Sequence, residues 1–155
     1  MKARVLVDAD SCAKRVRNWL LSRAKKNQIE VYLAANANLL SGGEREQNEN
    51  AKMIVCPKES QAADNWILAN AAADDIVVTR DIPLAAALLE KQITVMNDLG
   101  KIFDKENIPR ALKERELSLQ MAELGLGTKR RDSYGQKEFE LFAKSFDEVI
   151  RRKNC

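Results

Sequence analysis

Two aspartates stand where a buried strand is expected to end. Residues 3–8, ARVLVD, form an apolar run that predicts a strand, and Asp8 and Asp10 close it with one alanine between them. Burying carboxylates is costly unless a cation lies beside them. We therefore expect that the rest of the chain supplies a cationic partner, or that the site binds a cation.

The absence of histidine narrows the possible chemistry. The 155 residues include no histidine, which excludes Ser-His-Asp triads, Cys-His pairs and most catalytic zinc sites. The three cysteines, Cys12, Cys56 and Cys155, are odd in number and form no CxxC motif, so neither a disulfide framework nor a zinc knuckle is expected. Any enzymatic reaction would depend on carboxylates, lysine or arginine, hydroxyls, or a bound metal.

Apolar runs alternate with helical patterns along the first 100 residues. The runs are mostly continuous, which favours a three-layer α/β fold with a mostly parallel five-stranded sheet covered on both faces. The predicted strands are 3–8, 30–36, 52–57, 75–81 and 93–97. The predicted helices are 12–27, 60–72, 82–92, 107–124 and 136–153.

The chain is expected to form a single domain over residues 1–155, because no long linker is visible. Residues 1–100 would form the α/β core, and residues 101–155 a helical C-terminal extension packed on it. Residues 39–50, rich in Gly, Asn and charge, predict a flexible loop that could cover a substrate. Ser60 is a plausible cap for the helix that follows it.

The carboxylates can be sorted by the end of the sheet that they occupy. In an open parallel sheet, sites form beyond the carboxyl ends of the strands. Asp8 and Asp10 close the first strand, and Asp81 closes the fourth. Asp64 lies in the first turns of the helix that leaves the third strand, and Asp98 follows the fifth. These side chains are therefore predicted to collect at one edge of the sheet.

Crowded carboxylates repel one another, and a hard divalent cation relieves that repulsion. Mg²⁺ or Mn²⁺ suits oxygen ligands, and such an ion can activate water and stabilise charge at a phosphoryl group. Taken singly, Asp10 and Asp64 are better explained as helix-terminal residues. Taken together, Asp8, Asp10 and Asp81 predict a catalytic metal site. Asp98 is a possible accessory residue, since NDLG is also an ordinary turn.

Four further residues are candidates for substrate binding. Lys14 and Arg80 are the basic residues predicted nearest to the acidic edge. Thr79 shares the strand face of Asp81 and could bind substrate or a metal-bound water, although it is equally an ordinary β-branched strand residue. Asn36 ends the second strand near the same edge, where asparagine is common.

Charge and hydropathy bear on partners and location. Net charge is +3, and the basic excess lies in residues 101–155, which carry 13 Lys and Arg against 10 Asp and Glu, including KRR at 129–131. This permits a nucleic-acid partner, but a solvated helical surface explains it equally well. No apolar run is long enough for a membrane helix, and the N-terminus does not resemble a signal peptide, so we expect a cytoplasmic protein without a membrane partner.

Several segments resemble the YaiI/YqxD family of uncharacterised bacterial proteins. They are VDADSC, AADNWI and, above all, VVTRDIPLAAALLEK, and the likeness extends over nearly the whole chain. The resemblance implies a PIN-like domain, that is, a metal-dependent nuclease on a small α/β sheet, with Asp8, Asp10, Asp64 and Asp81 as the acidic cluster and metal ligands. NDLG at 97–100 stands where the family commonly has NPRG.

Three functions remain open at this point. The first is an Mg²⁺- or Mn²⁺-dependent nuclease acting on RNA. The second is a phosphatase of the haloacid dehalogenase type with Asp8 as nucleophile, although Cys12 stands where that class has Thr or Val. The third is a non-catalytic RNA-binding or regulatory module. The sequence leaves substrate, number of metals and oligomeric state open.

Overall fold

A single parallel sheet organises the part of the chain that the structure describes. The computed structural model describes residues 2–39, 48–59, 61–126 and 134–153. The sheet has five strands in the order β3-β2-β1-β4-β5, and every ladder is parallel. The strands are β1 (Ala3–Asp8), β2 (Ile29–Ala35), β3 (Ala51–Val55), β4 (Ile76–Val78) and β5 (Thr94–Met96).

Helices cover both faces of this sheet, which confirms the predicted three-layer α/β fold. A short 3₁₀ turn, Ala9–Ser11, follows β1. The helices are α1 (Lys14–Lys25), α2 (Ala62–Asn70), α3 (Ile82–Glu90), α4 (Ile108–Glu123) and α5 (Gln136–Lys153). None of the helices in the described ranges is long and apolar enough to cross a membrane.

The core is split by the sheet into two layers, as the alternation of side chains along each strand requires. Val5 and Val7 pack on one face with α1 and α5, and Leu6 packs on the other face with α2, α3 and the start of α4. Because β1 is buried on both sides, its sequence is a continuous apolar run. On the α1 face, the Trp19 ring meets the buried rings of Phe142 and Phe146 edge-on, with centroids 5.9 and 5.5 Å away.

The fourth strand differs from its predicted extent. Residues 75–81 were predicted as strand, whereas β4 covers only Ile76–Val78. The chain leaves the sheet early because Asp81 caps α3, where its carboxylate accepts a hydrogen bond from the Leu84 N–H at 2.9 Å. A side chain that caps a helix satisfies an otherwise unpaired backbone donor, and this outweighs one more sheet pairing.

The strand order reverses direction at the centre of the sheet. The chain runs outward from β1 through β2 to β3, then crosses to the other side of β1 to form β4 and β5. The carboxyl ends of β1 and β4 therefore border the crevice where ligands bind in open α/β sheets. Asp8 ends β1, and Asp81 follows β4, so both lie at this crevice.

Gly100 allows the turn after β5 to approach α5 closely. Its φ is +87°, and a Cβ there would lie 2.5 Å from the carbonyl oxygen of Leu141. We expect Gly100→Ala to lower the free energy of unfolding by about 2–4 kcal/mol, from left-handed strain and the clash together. Gly125→Ala is the matched control, since φ is +70° with nothing within 4 Å. Equal losses in chemical denaturation would contradict the clash.

Some predicted features lie outside the described residues. They are the cap Ser60, residues 40–47 of the predicted loop, the basic segment 129–131 and Cys155.

Candidate metal centre

A small open cavity lies at the carboxyl ends of the strands. Its volume is about 220 Å³. Carboxylates contributed by four parts of the chain line it: the end of β1 with its 3₁₀ turn, the segment after β3, α2, and the cap of α3. The polar residues that line it are Asp8, Asp10, Ser11, Asn36, Glu59, Asp64 and Asp81.

Asp8 is held by two hydroxyl groups. Its Oδ2 accepts hydrogen bonds from Thr79 Oγ1 and Ser11 Oγ, each at 2.9 Å. Burial raises the pKa of Asp8 above its ordinary value, and the charges of Asp81 and Asp10 raise it further, while the two hydroxyl contacts lower it in part. The carboxylate is therefore fixed in direction but is an unfavourable place for an unscreened negative charge.

Thr79 connects the two aspartates of β1 and α3. Its hydroxyl donates to Asp8 and accepts the Asp81 N–H at 3.0 Å. Thr79 is almost fully buried. It was predicted to bind substrate, but the structure places its hydroxyl beneath the carboxylates, where it positions Asp8 and the start of α3.

Asp10 is fixed by the neighbouring strand. Its Oδ2 accepts the backbone N–H of Asn36 at 3.1 Å, so the 3₁₀ turn after β1 is tied to the end of β2. The Asp10 side chain is otherwise exposed to solvent. Asn36 was predicted at this edge, and it lines the cavity.

Asp64 and Asp81 form a carboxyl pair. A hydrogen bond joins their side chains, and Asp64 is only half-buried in the first turn of α2. Burial, this hydrogen bond and the charges of Asp81 and Asp8 raise the pKa of Asp64 to about 7. Asp64 therefore keeps its proton to a higher pH than an ordinary aspartate does, because two adjacent carboxylates resist ionising together.

This pair predicts a pH-dependent stability. The pKa of Asp64 rises from 3.8 to about 7 on folding, so the folded chain holds its proton more tightly than the unfolded chain does. The contribution of Asp64 to the free energy of unfolding should therefore fall as pH rises from 4 to 7. Asp64→Asn should reduce this slope, as measured by thermal unfolding in EDTA at pH 5 and pH 8. A variant that differs from the native protein by the same amount at both values would refute the assignment.

The donor set suits a hard cation that keeps part of its water shell. In the described ranges, no three Asp, Glu or Cys side chains are arranged to hold one metal ion together. Mg²⁺, however, is usually bound through one or two carboxylates with several waters. One oxygen of Asp8 and one oxygen of Asp10 accept hydrogen bonds from neighbouring groups. Ligating carboxylates are typically fixed in this way.

Asp98 lies apart from this cavity. Its carboxylate, 1% exposed, forms a two-point ion pair with Arg80, with Nε–Oδ1 at 2.8 Å and Nη2–Oδ2 at 2.7 Å. Oδ2 also accepts the Ala13 N–H at 2.8 Å, at the start of α1. The predicted accessory role beside the other acids therefore does not match its position, because its charge is already paired. The same contact holds the Arg80 side chain, which was predicted to bind substrate.

Lys14, which was predicted, lies outside the cavity, whereas Glu59 and Ser11, which were not predicted, line it. Lys14 is exposed at the first residue of α1, and it does not line the cavity. Glu59 lines the cavity but was not predicted. It follows Val55 at the carboxyl end of β3, so sorting glutamates as well as aspartates by strand end would have found it. Ser11 was missed because its role, a hydroxyl between Asp8 and the Arg80 N–H, depends on tertiary contacts.

Comparison with known proteins gives a family but no activity. A family model described as "Uncharacterized BCR, YaiI/YqxD family" matches residues 6–152. The chain is 33% identical over 149 residues to a "UPF0178 protein" of Treponema denticola, covering 96% of this chain and 92% of that protein. It is 31% identical over 150 residues to another of Pseudoalteromonas atlantica, covering 97% and 99%. No solved structure gives a significant match. The chain thus belongs to the YaiI/YqxD family of uncharacterised bacterial proteins.

Proposed function

We propose that this protein is a divalent-cation-dependent hydrolase of nucleic-acid phosphodiesters, with RNA as its substrate. The observation that carries this proposal is the concentration of Asp8, Asp10, Glu59, Asp64 and Asp81 around one open cavity at the strand-order reversal. A phosphate could not approach so many carboxylates without a cation between them. A bound Mg²⁺ or Mn²⁺ would supply that bridge and a water of lowered pKa.

Some residues of the site would bind the metal ion, and others orient the residues that bind it. Asp8, Asp10 and Asp81 are the proposed catalytic residues, and with Asp64 they are the proposed ligands, one or two directly and the others through metal-bound waters. Thr79 and Ser11 aim the Asp8 carboxylate, and the Asn36 backbone aims that of Asp10. Fixed orientation matters because a ligand that must be reoriented on binding lowers affinity.

The start of α1 is the proposed contact for the nucleic-acid backbone. The helix begins with the exposed Lys14, whose ammonium group would attract a phosphate, while the Asp98 carboxylate already accepts the Ala13 N–H at this end. The preceding 3₁₀ turn carries Asp10, which lines the cavity. A phosphate held by α1 would therefore lie beside the acidic site. Because the cavity lies open at the sheet edge, the backbone of a nucleic acid could pass over it.

The test combines metal titration with cleavage. We expect saturable binding of Mn²⁺ and Mg²⁺ by calorimetry, and cleavage of a labelled single-stranded RNA that requires either ion and stops in EDTA. Absence of metal binding at millimolar concentration would overturn the proposal.

Two further measurements distinguish the phosphatase and the non-catalytic RNA-binding module from the proposed nuclease. A phosphatase of the haloacid dehalogenase type would form a covalent acyl phosphate on Asp8, which mass spectrometry detects after acid quench and which a nuclease of the proposed kind does not form. A non-catalytic RNA-binding module would bind RNA in EDTA, with affinity that falls as salt rises. Either result, without cation-dependent cleavage, would replace the proposed activity.

A further inference from the structure

The fourth helix is anchored at one end only. Ile108 and Ala111, at its start, are buried against the α3 side of the core. From residue 112 to residue 126, every side chain is exposed. Isolated helical segments of this length are marginal in water and rely on packing of an apolar face. The exposed part of α4 therefore lacks the contact that normally stabilises such a helix within the described chain.

The exposed segment carries apolar side chains on two sides, with Leu117, Met121 and Leu124 on the side opposite the line described next. Leu112 and Leu119 lie seven residues apart, 37% and 50% exposed, and Ala122 follows at helical spacing. This line continues the buried line of Ile108. Apolar side chains grouped on a surface, rather than scattered singly, indicate an interaction surface.

The charges on the same face identify the partner. Arg115, Leu119 and Glu123 are four residues apart and form one ridge along the helix, in the order basic, apolar, acidic. Neither Arg115 nor Glu123 forms an ion pair with another described residue, whereas Arg110 pairs with Glu114 one turn on. A ridge of this order is complementary to itself only when the second copy runs in the opposite direction.

We propose that α4 packs antiparallel against α4 of a second copy of this chain, with the two-fold axis beside Leu119. This register places Arg115 and Glu123, the last residue of α4, at equal distances from the axis. Ridges of the i±4 kind packed side by side are the commonest helix packing in globular proteins. The two Leu119 side chains then touch, and Arg115 of each copy faces Glu123 of the other. The contact is isologous, so it closes as a dimer.

Charge reversal tests both the partner and the direction. By analytical ultracentrifugation at low salt, the native chain should dimerise in the micromolar range, as expected for a small interface. Arg115→Glu should weaken the dimer by about tenfold or more, because two pairs become repulsive. The double variant Arg115→Glu/Glu123→Arg should restore it. A monomeric native chain at millimolar concentration, or a double variant no better than the single one, would overturn the proposal.

A matched pair of apolar variants tests the face. Leu119→Asp places two carboxylates beside the axis and should give a monomer. Leu117→Asp introduces the same charge on the opposite side of the helix, at a leucine that is 56% exposed, and should leave the dimer intact. Circular dichroism checks that both variants remain folded. Loss of the dimer only in Leu117→Asp, or in neither variant, would place the contact elsewhere and refute it.

Discussion

Asp8→Asn/Asp81→Asn is expected to lose saturable Mn²⁺ and Mg²⁺ binding and to lower RNA cleavage by more than about 100-fold, since even outer-shell changes cost up to that much in metal sites. The two residues come from different elements, and the Thr79 hydroxyl links the Asp8 carboxylate to the backbone N–H of Asp81. Asparagine preserves shape and a carbonyl acceptor, and it caps helices as well as aspartate does. The variant therefore removes charge and leaves the local hydrogen bonds.

The unfolding temperature of the double variant shows whether a loss of metal binding comes from the site or from misfolding. Burial and neighbouring charge raise the pKa of Asp8, so its ionised form is unfavourable in the metal-free fold, and the double variant should unfold at a temperature no lower than the native chain in EDTA. Asp74→Asn, at the opposite edge of the sheet, is the control and should bind metal normally. If the double variant kept the native metal affinity, the acidic edge would not be the metal site.

Asp98→Asn is expected to give the largest loss of stability among single charge substitutions. The change leaves the Arg80 guanidinium without its anion and alters the acceptor of the Ala13 N–H. Breaking a buried ion pair costs 3–5 kcal/mol, and the part-exposed arginine, at 32%, places this case near about 3 kcal/mol. For a chain of this size, Tm should then fall by about 6–12 °C.

The chain offers a matched control for that measurement. Arg23 and Asp147 form an ion pair at 2.8 Å, close to the 2.7 Å of Arg80 and Asp98, but the Asp147 side chain is 54% exposed. Exposed pairs contribute about 0–1 kcal/mol, so Asp147→Asn should lower Tm by no more than a few degrees. Similar losses in the two variants by calorimetry would show that burial of Asp98 does not govern its contribution.

The predicted strands of the sheet agree with the observed ones more closely than the ends of the elements do. Continuous apolar runs predicted five strands, because a strand buried on both faces needs apolar side chains in both directions. The ends of elements were less predictable. Asp81 was assigned to the end of a strand, but it caps α3, since the choice between one more ladder bond and a helix cap depends on whether a helix follows at the right angle.

The amino-acid pattern was enough to predict the layered α/β class and to place Asp8, Asp10, Asp64 and Asp81 at one edge. Strand direction alone settles which end of a parallel sheet a residue occupies. Only the tertiary structure decided which polar groups meet across that edge. The Asp98 carboxylate contacts Arg80 and the Ala13 N–H and does not line the cavity of the other acids. Glu59 lines that cavity. Such pairings depend on strand order and on distances between residues far apart in the chain, and no local pattern contains them.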